Sequence, residues 1–155
     1  MLSPENLDLV RYFFPVQSVS ANPNYDAESE MGGQYSLSTD FNHSRDPDTN
    51  INRITVVISV ETDDDCEGCD NDPYIFELAV VGYFEYQTPT TDTPSKEQDS
   101  KHIRDAYILG CQVLFGALRE RLTDLTGRGP WDPIYINTFH ASDFAKTLKK
   151  KPADT

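Results

Sequence analysis

Residues 51–61, INRITVVISVE, set Ile54, Val56, Ile58 and Val60 at every second position. A period of two puts all four apolar side chains on one face of an extended chain, so this stretch predicts a strand with one buried face. Working outward, residues 74–87, YIFELAVVGYFEYQ, are a second long run of β-formers. Gly82 within it marks a bulge or a close packing point. Upstream, residues 34–42 alternate, with Tyr35, Leu37, Thr39 and Phe41 opposite Ser36, Ser38 and Asp40, which predicts a half-buried strand. Residues 9–16, LVRYFFPV, read as another strand, with Pro15 pointing to an edge or a bulge. The connections are loops or turns: acidic residues 26–33, the Asp46-Pro47-Asp48 stretch, and residues 62–73 with their run of acids. Four strands without an intervening helix predict a mostly antiparallel meander.

Residues 88–100 read as a polar, proline-bearing linker. Beyond them Ile103, Ala106, Tyr107, Gly110, Leu114, Ala117, Leu118, Leu122 and Leu125 recur at helical spacing. Ser100 is the expected N-cap, and Gly127 with Gly129-Pro130 the expected stop. A short helix is expected over residues 143–151, ending in a basic tail, residues 149–155. The fold class is α+β: one domain over residues 1–155, its four-stranded antiparallel sheet first and its long and short helices last. Ile108, Gln112, Phe115 and Arg119 lie off the main helical stripe and form a second face, the expected oligomer interface.

The 155 residues carry 13 bases and 26 acids, a net charge of −13. Residues 1–95 hold 18 acids and three bases, whereas residues 96–155 hold eight acids and ten bases. So acidic a chain repels phosphate backbones, and nucleic acid is not an expected partner. No apolar run reaches the ~20 residues of a membrane span, so no membrane insertion is expected. The first ten residues, MLSPENLDLV, do not read as a signal peptide. The odd count of three cysteines argues against a disulfide scaffold, and the expected setting is a reducing cytoplasm.

Motifs of catalysis are missing from the sequence: there is no glycine-rich phosphate loop, nucleophile elbow or paired-carboxylate signature, and an enzyme is not expected. His140 near Ser142 and Asp143 reads as a helix start rather than a triad. Cys66 and Cys69 have Cys-x-x-Cys spacing but sit in an acidic turn without two further ligands at metal spacing. They are weak metal candidates, and no metal or cofactor is expected. The acids from Asp63 to Asp70 lack the alternation and closing glutamate of a calcium loop. They read as a solvated turn or as a docking patch for a basic partner.

The order of elements resembles the SecB family of cytosolic chaperones over roughly residues 7–150. Carrying the resemblance are Ile54 to Val60, Phe76 to Phe84 with Gly82 before an aromatic, Leu109-Gly110-Cys111, Leu114-Phe115, Arg119-Glu120, and Leu125-Thr126-Gly127-Arg128-Gly129 to Pro133. The string Asp124-Leu125-Thr126-Gly127-Arg128 is similar to the branch serving toxin–antitoxin–chaperone systems. Gly116-Ala117 stands where the family has Pro-Tyr, Phe139-His140-Ala141 replaces an apolar run, and the end, KKKPADT, is basic rather than acidic.

What the resemblance implies is an ATP-independent holdase that binds an unfolded client polypeptide, an antitoxin or an exported protein, and works as a homotetramer built as a dimer of dimers. Its client groove would be lined by Tyr12, Phe14, Tyr25, Tyr35, Phe139 and Phe144, with Leu148 at its end. Exposed aromatics on a highly charged particle suit such a task. The alternative is a non-catalytic adaptor, antitoxin-like, holding one folded partner through its acidic face.

Overall fold

The computed structural model describes residues 6–29, 35–65, 67–88 and 95–136. Four strands, β1 (Asp8–Ala21), β2 (Tyr35–Arg45), β3 (Ile51–Thr62) and β4 (Tyr74–Gln87), precede a single long helix, α1 (Lys96–Gly127). The short helix expected over residues 143–151 lies outside the described residues.

The sheet is antiparallel throughout, with order β1-β4-β3-β2. The meander expected from sequence holds for β2, β3 and β4. β1 instead returns to the far edge beside β4, a Greek-key connection. Cross-strand register matches the alternation: Ile54 faces Phe84, Val56 faces Gly82, Ile58 faces Val80 and Val60 faces Leu78. These side chains are buried, and α1 covers them with Ala106, Tyr107, Cys111, Leu114, Leu118 and Leu122. Burying a branched side chain of this kind contributes roughly 1.5–3 kcal/mol, so the β3–β4–α1 sandwich is the main source of stability. Gly82 is a close packing point: a Cβ there would stand 2.7 Å from Leu114 Cδ2.

α1 begins earlier than its apolar stripe suggests. Ser95, not Ser100, is the N-cap, in a reciprocal capping box with Gln98, so the helix takes in part of the expected linker. Its first turn, Lys96-Glu97-Gln98-Asp99, is polar and mostly exposed and carries no periodicity. Two tethers hold the helix ends. Asp99 pairs with Arg45 of β2, and Arg121 Nε donates to Gln17 Oε1 of β1 at 2.7 Å. Under the first tether lies Asn52, fully buried, accepting from Arg45 Nε at 2.9 Å and donating to Thr88 Oγ1 at 2.7 Å. Burial beside Asp99 pushes the Tyr86 hydroxyl up to about 12.

After α1 the chain folds back. Thr126 Oγ1 donates to Leu122 O and accepts from Ile134 N at 2.9 Å, and Ile136 reaches the core.

Candidate functional site: an aromatic surface on an acidic sheet

β1 is an edge strand whose pairing with β4 slips twice, between Leu9 and Arg11 and between Phe13 and Val16. Pro15 lies within the second slip, since a residue without an N–H is accommodated at an irregular edge. Tyr12 sits opposite Gly82 on the helix-covered face, and its ring meets Phe14 edge-on at 6.2 Å. The two rings, with Gln17, Ala117, Glu120, Arg121 and Asp124, line an open groove of about 430 Å³ between β1 and α1. On the opposite face of the sheet Phe13 stacks on Tyr83 at 6.1 Å, and the Arg11 guanidinium lies over both rings at 5.3 and 5.4 Å. Leu9, Val10, Tyr12 and Phe13 are 40%, 59%, 49% and 38% exposed, a concentration of apolar surface on one edge strand.

A second aromatic cluster stands at the other end of β1. Tyr25 packs edge-on against Trp131 at 5.2 Å. Trp131 Nε1 donates to Asn22 O at 3.0 Å. The Tyr74 hydroxyl holds the Trp131 backbone from both sides, donating to its carbonyl at 3.0 Å and accepting from its N–H at 2.9 Å. Gly129 makes this approach possible, because a Cβ there would collide with the Tyr74 ring. Sequence reasoning missed Trp131 as a partner of Tyr25. Its signal was the lone tryptophan in a proline-flanked segment directly after the helix stop.

Tyr35, with Leu37, is exposed on β2 at the opposite edge of the sheet. Three inter-strand spacings, roughly 14 Å, separate β2 from β1. Of the client-binding residues expected from sequence, Tyr12 and Phe14 are brought together, Tyr25 joins Trp131 instead, and Tyr35 stands on the far edge. Phe139, Phe144 and Leu148 lie outside the described residues. On α1, Gln112 is exposed, Ile108 and Arg119 are half-buried, and Phe115 is buried against the chain's own core, while Val113 beside them is 50% exposed.

The core beneath the helix is chemically quiet. Tyr107 hydrogen-bonds Thr39 Oγ1 at 2.6 Å and packs on Phe41 at 4.6 Å, and burial raises its hydroxyl above the usual tyrosine range. Burial likewise pushes the Cys111 thiol up to about 12. Cys69 is disulfide-bonded, so its sulfur is not offered as a thiolate ligand, and Cys66 lies outside the described residues. Among the described residues no group of three or more His, Cys, Asp or Glu side chains is placed to hold a metal. The acids of residues 61–77 surround an open depression of about 520 Å³ that includes Glu61, Asp63, Asp64, Asp70 and Glu77. Within the described residues no helix is long and apolar enough to cross a membrane.

No family model matches the chain. A search of curated proteins also gives no match. Among solved structures, the fold is similar to that of the Mycobacterium tuberculosis Rv1957 SecB-like chaperone, solved in complex with a ChAD peptide from the Rv1956 HigA1 antitoxin. The similarity has a TM-score of 0.53 at 16% identity, covering 87% of this chain and 92% of that one. A protein of unknown function from Streptococcus agalactiae aligns at a TM-score of 0.49 and 11% identity, over 85% of this chain and 97% of that one. The four-stranded antiparallel sheet with its long helix is thus a SecB-like fold.

Proposed function

We propose that a chain with this SecB-like fold acts as an ATP-independent holdase, capturing unfolded segments of a client polypeptide, with an antitoxin as the client class. The observation that carries the reading is the row of exposed apolar residues on β1, Leu9, Val10, Tyr12 and Phe13, on a chain of net charge −13. An unfolded segment laid against Tyr12 and Phe14 releases water from its own apolar surface and from theirs. That release drives capture without nucleotide. Aromatic surfaces accept varied sequences, and the surplus negative charge keeps loaded particles apart. No cofactor is needed for this cycle. The antitoxin peptide held by the similar Mycobacterium tuberculosis chaperone supports the choice of client class. The working form is a cytoplasmic homotetramer, a dimer of dimers, with Ile108, Gln112, Phe115 and Arg119 near the contact between copies.

The test is suppression of aggregation of a chemically denatured model protein and of an isolated antitoxin, without ATP. Protection at stoichiometric chaperone is expected for both. Failure to protect either, with tight binding to a folded basic protein instead, would move the assignment to an adaptor working through the acidic depression.

A further inference from the structure

The two edges of the sheet are built differently. β1 is interrupted by its two register slips, carries Pro15 at the second, and holds the Arg11 guanidinium over the Phe13 and Tyr83 rings. Slips, proline and charge are features that keep an edge from pairing with another chain. β2 pairs with β3 without a slip over all 11 of its residues, from Tyr35 opposite Thr62 to Arg45 opposite Asn52, and contains neither proline nor glycine. Both of its ends are pinned. Ser36 hydrogen-bonds Asp63 at one end; at the other His43 Nε2 lies 2.9 Å from Asn52 Oδ1, and Arg45 pairs with Asp99. α1 meets β2 through Asp99 and through Tyr107, which bonds Thr39 and packs on Phe41, and then crosses the sheet to Gln17 of β1. Tyr35 and Leu37 are left exposed on the helix side, and Ser36, Ser38 and Asp40 are exposed on the other. In an antiparallel strand alternate residues bond one neighbour, and the rest turn their N–H and C=O groups the other way. Among the described residues only β3 pairs with β2, so that second set points outward along the whole edge.

We propose that β2 takes up an extended segment of another polypeptide as a fifth strand of the sheet. A row of outward N–H and C=O groups is matched by a second main chain in strand conformation, so the occupant is an unfolded segment and not a folded surface. Apolar side chains at every second position would lie beside Tyr35 and Leu37, and the polar ones between them beside Ser36, Ser38 and Asp40. Asp40 decides against a second copy of this chain. Antiparallel pairing of two β2 strands over their full length sets Tyr35 opposite Arg45, and therefore sets the two Asp40 side chains opposite each other. Like charges directly opposite are destabilising, whereas a lysine or threonine at that place is accepted. The occupant is thus a heterologous segment in which apolar residues alternate with uncharged or basic ones. Because β2 is already fixed at both ends, little order has to be created in this chain on binding. Backbone bonds then supply affinity with little regard to sequence, and the alternate side chains supply selectivity. As an added strand the proposal stands by itself; as a mode of client capture it rests on the holdase reading.

The probe is a capped, fluorescently labelled peptide alternating valine with threonine, with lysine in place of the central threonine. Two N-methylated forms accompany it, one methylated at the valines and one at the residues between them. With the full chain, fluorescence anisotropy should show saturable binding of the unmodified peptide. One methylated form should bind at least about tenfold more weakly, because its N–H groups are the ones turned toward β2, while the other binds as the unmodified peptide does. Asp40→Lys alters an exposed position, so it should keep the thermal midpoint and transfer preference to a peptide with a central glutamate. No saturation by the unmodified peptide up to about 1 mM would overturn the added strand. Equal binding of the two methylated forms would overturn it as well, and so would a charge preference that a folded Asp40→Lys chain leaves unchanged. The methylation comparison uses the parent chain, so it decides the matter even where Asp40→Lys fails to fold. Failure to protect a denatured client, with the difference between the methylated forms intact, would count against the holdase reading alone.

Discussion

Leu114 of α1 fills the space that a side chain at Gly82 of β4 would need, its Cδ2 atom only 2.7 Å from the Cβ position. Phe84 closes the same space at 2.9 Å, and both side chains are buried in the core. Gly82→Ala should cost about 1–3 kcal/mol by forcing α1 off the sheet. Gly116 on the exposed side of the same helix has nothing within 4 Å of its Cβ position. Gly116→Ala should stabilise by roughly 0.5–1 kcal/mol through helix propensity alone. Chemical denaturation of both variants decides the matter, and equal effects would refute this account of the packing.

Tyr12 stands half out in solvent, so its removal should separate function from folding. Tyr12→Ser is expected to lower protection of a denatured client while changing stability by less than about 1 kcal/mol. Aggregation assays run beside thermal melts provide the check. An unfolded Tyr12→Ser chain would identify Tyr12 as core rather than contact surface.

Alkaline pH should weaken the fold from a definite starting point. The Cys111 thiol ionises near 9.0 in an open chain but stays protonated to about 12 in the fold, and Tyr86 moves from 10.0 to about 12. Between those limits the folded chain holds protons that the unfolded one has released. The stabilisation is therefore complete below pH 9 and is lost as pH rises toward 12. Cys111→Ala should remove the part of the decline that begins near pH 9 and leave the tyrosine part. Urea midpoints measured from pH 8 to 11 would show it; an unchanged pH profile in the variant would exclude Cys111 as the source.

The proposed assembly can be dissected along α1. Val113→Asp changes a half-exposed position and should reduce the mass seen by light scattering while leaving the thermal midpoint of the monomer intact. Phe115→Ala, by contrast, empties a buried site and should cost about 3–5 kcal/mol whatever the oligomeric state. A Val113→Asp chain with undiminished mass would place the contact elsewhere.

Legibility in the sequence followed the strength of local periodicity. β4 was read with its observed limits because Tyr74 to Gln87 is a continuous run of strand formers. β1 runs on to Ala21, beyond the expected residue 16, because Gln17 to Ala21 is a polar-looking stretch held by pairing with β4, a tertiary cause. That same pairing set the strand order, which no local pattern in β1 encodes. The helix start was missed because Ser95 and Gln98 announce themselves by spacing rather than hydrophobicity. At the candidate site, Tyr12 and Phe14 were readable as one strand face, and the slip around Pro15 preserved it. The Tyr25–Trp131 contact joins residues 106 positions apart in the chain, brought together by the Tyr74 and Asn22 hydrogen bonds and by packing of Trp131 against the core.

α1 also works as a diagonal strut. Its first turn is bolted to β2 by Arg45 and Asp99, its later turns to β1 by Gln17 and Arg121, and 22 residues of helix, about 33 Å, lie between the two fastenings. The free edges of the sheet are therefore not mechanically independent. A segment seated beside Tyr12 would press on the same helix that is paired through Asp99 with the strand carrying Tyr35. Amide exchange along β2 should slow when a peptide occupies the β1 groove, and Arg121→Ala should abolish that remote response while leaving exchange along β2 in the empty chain unchanged. In such a frame, two short client segments gripped at opposite borders would be sensed as one load.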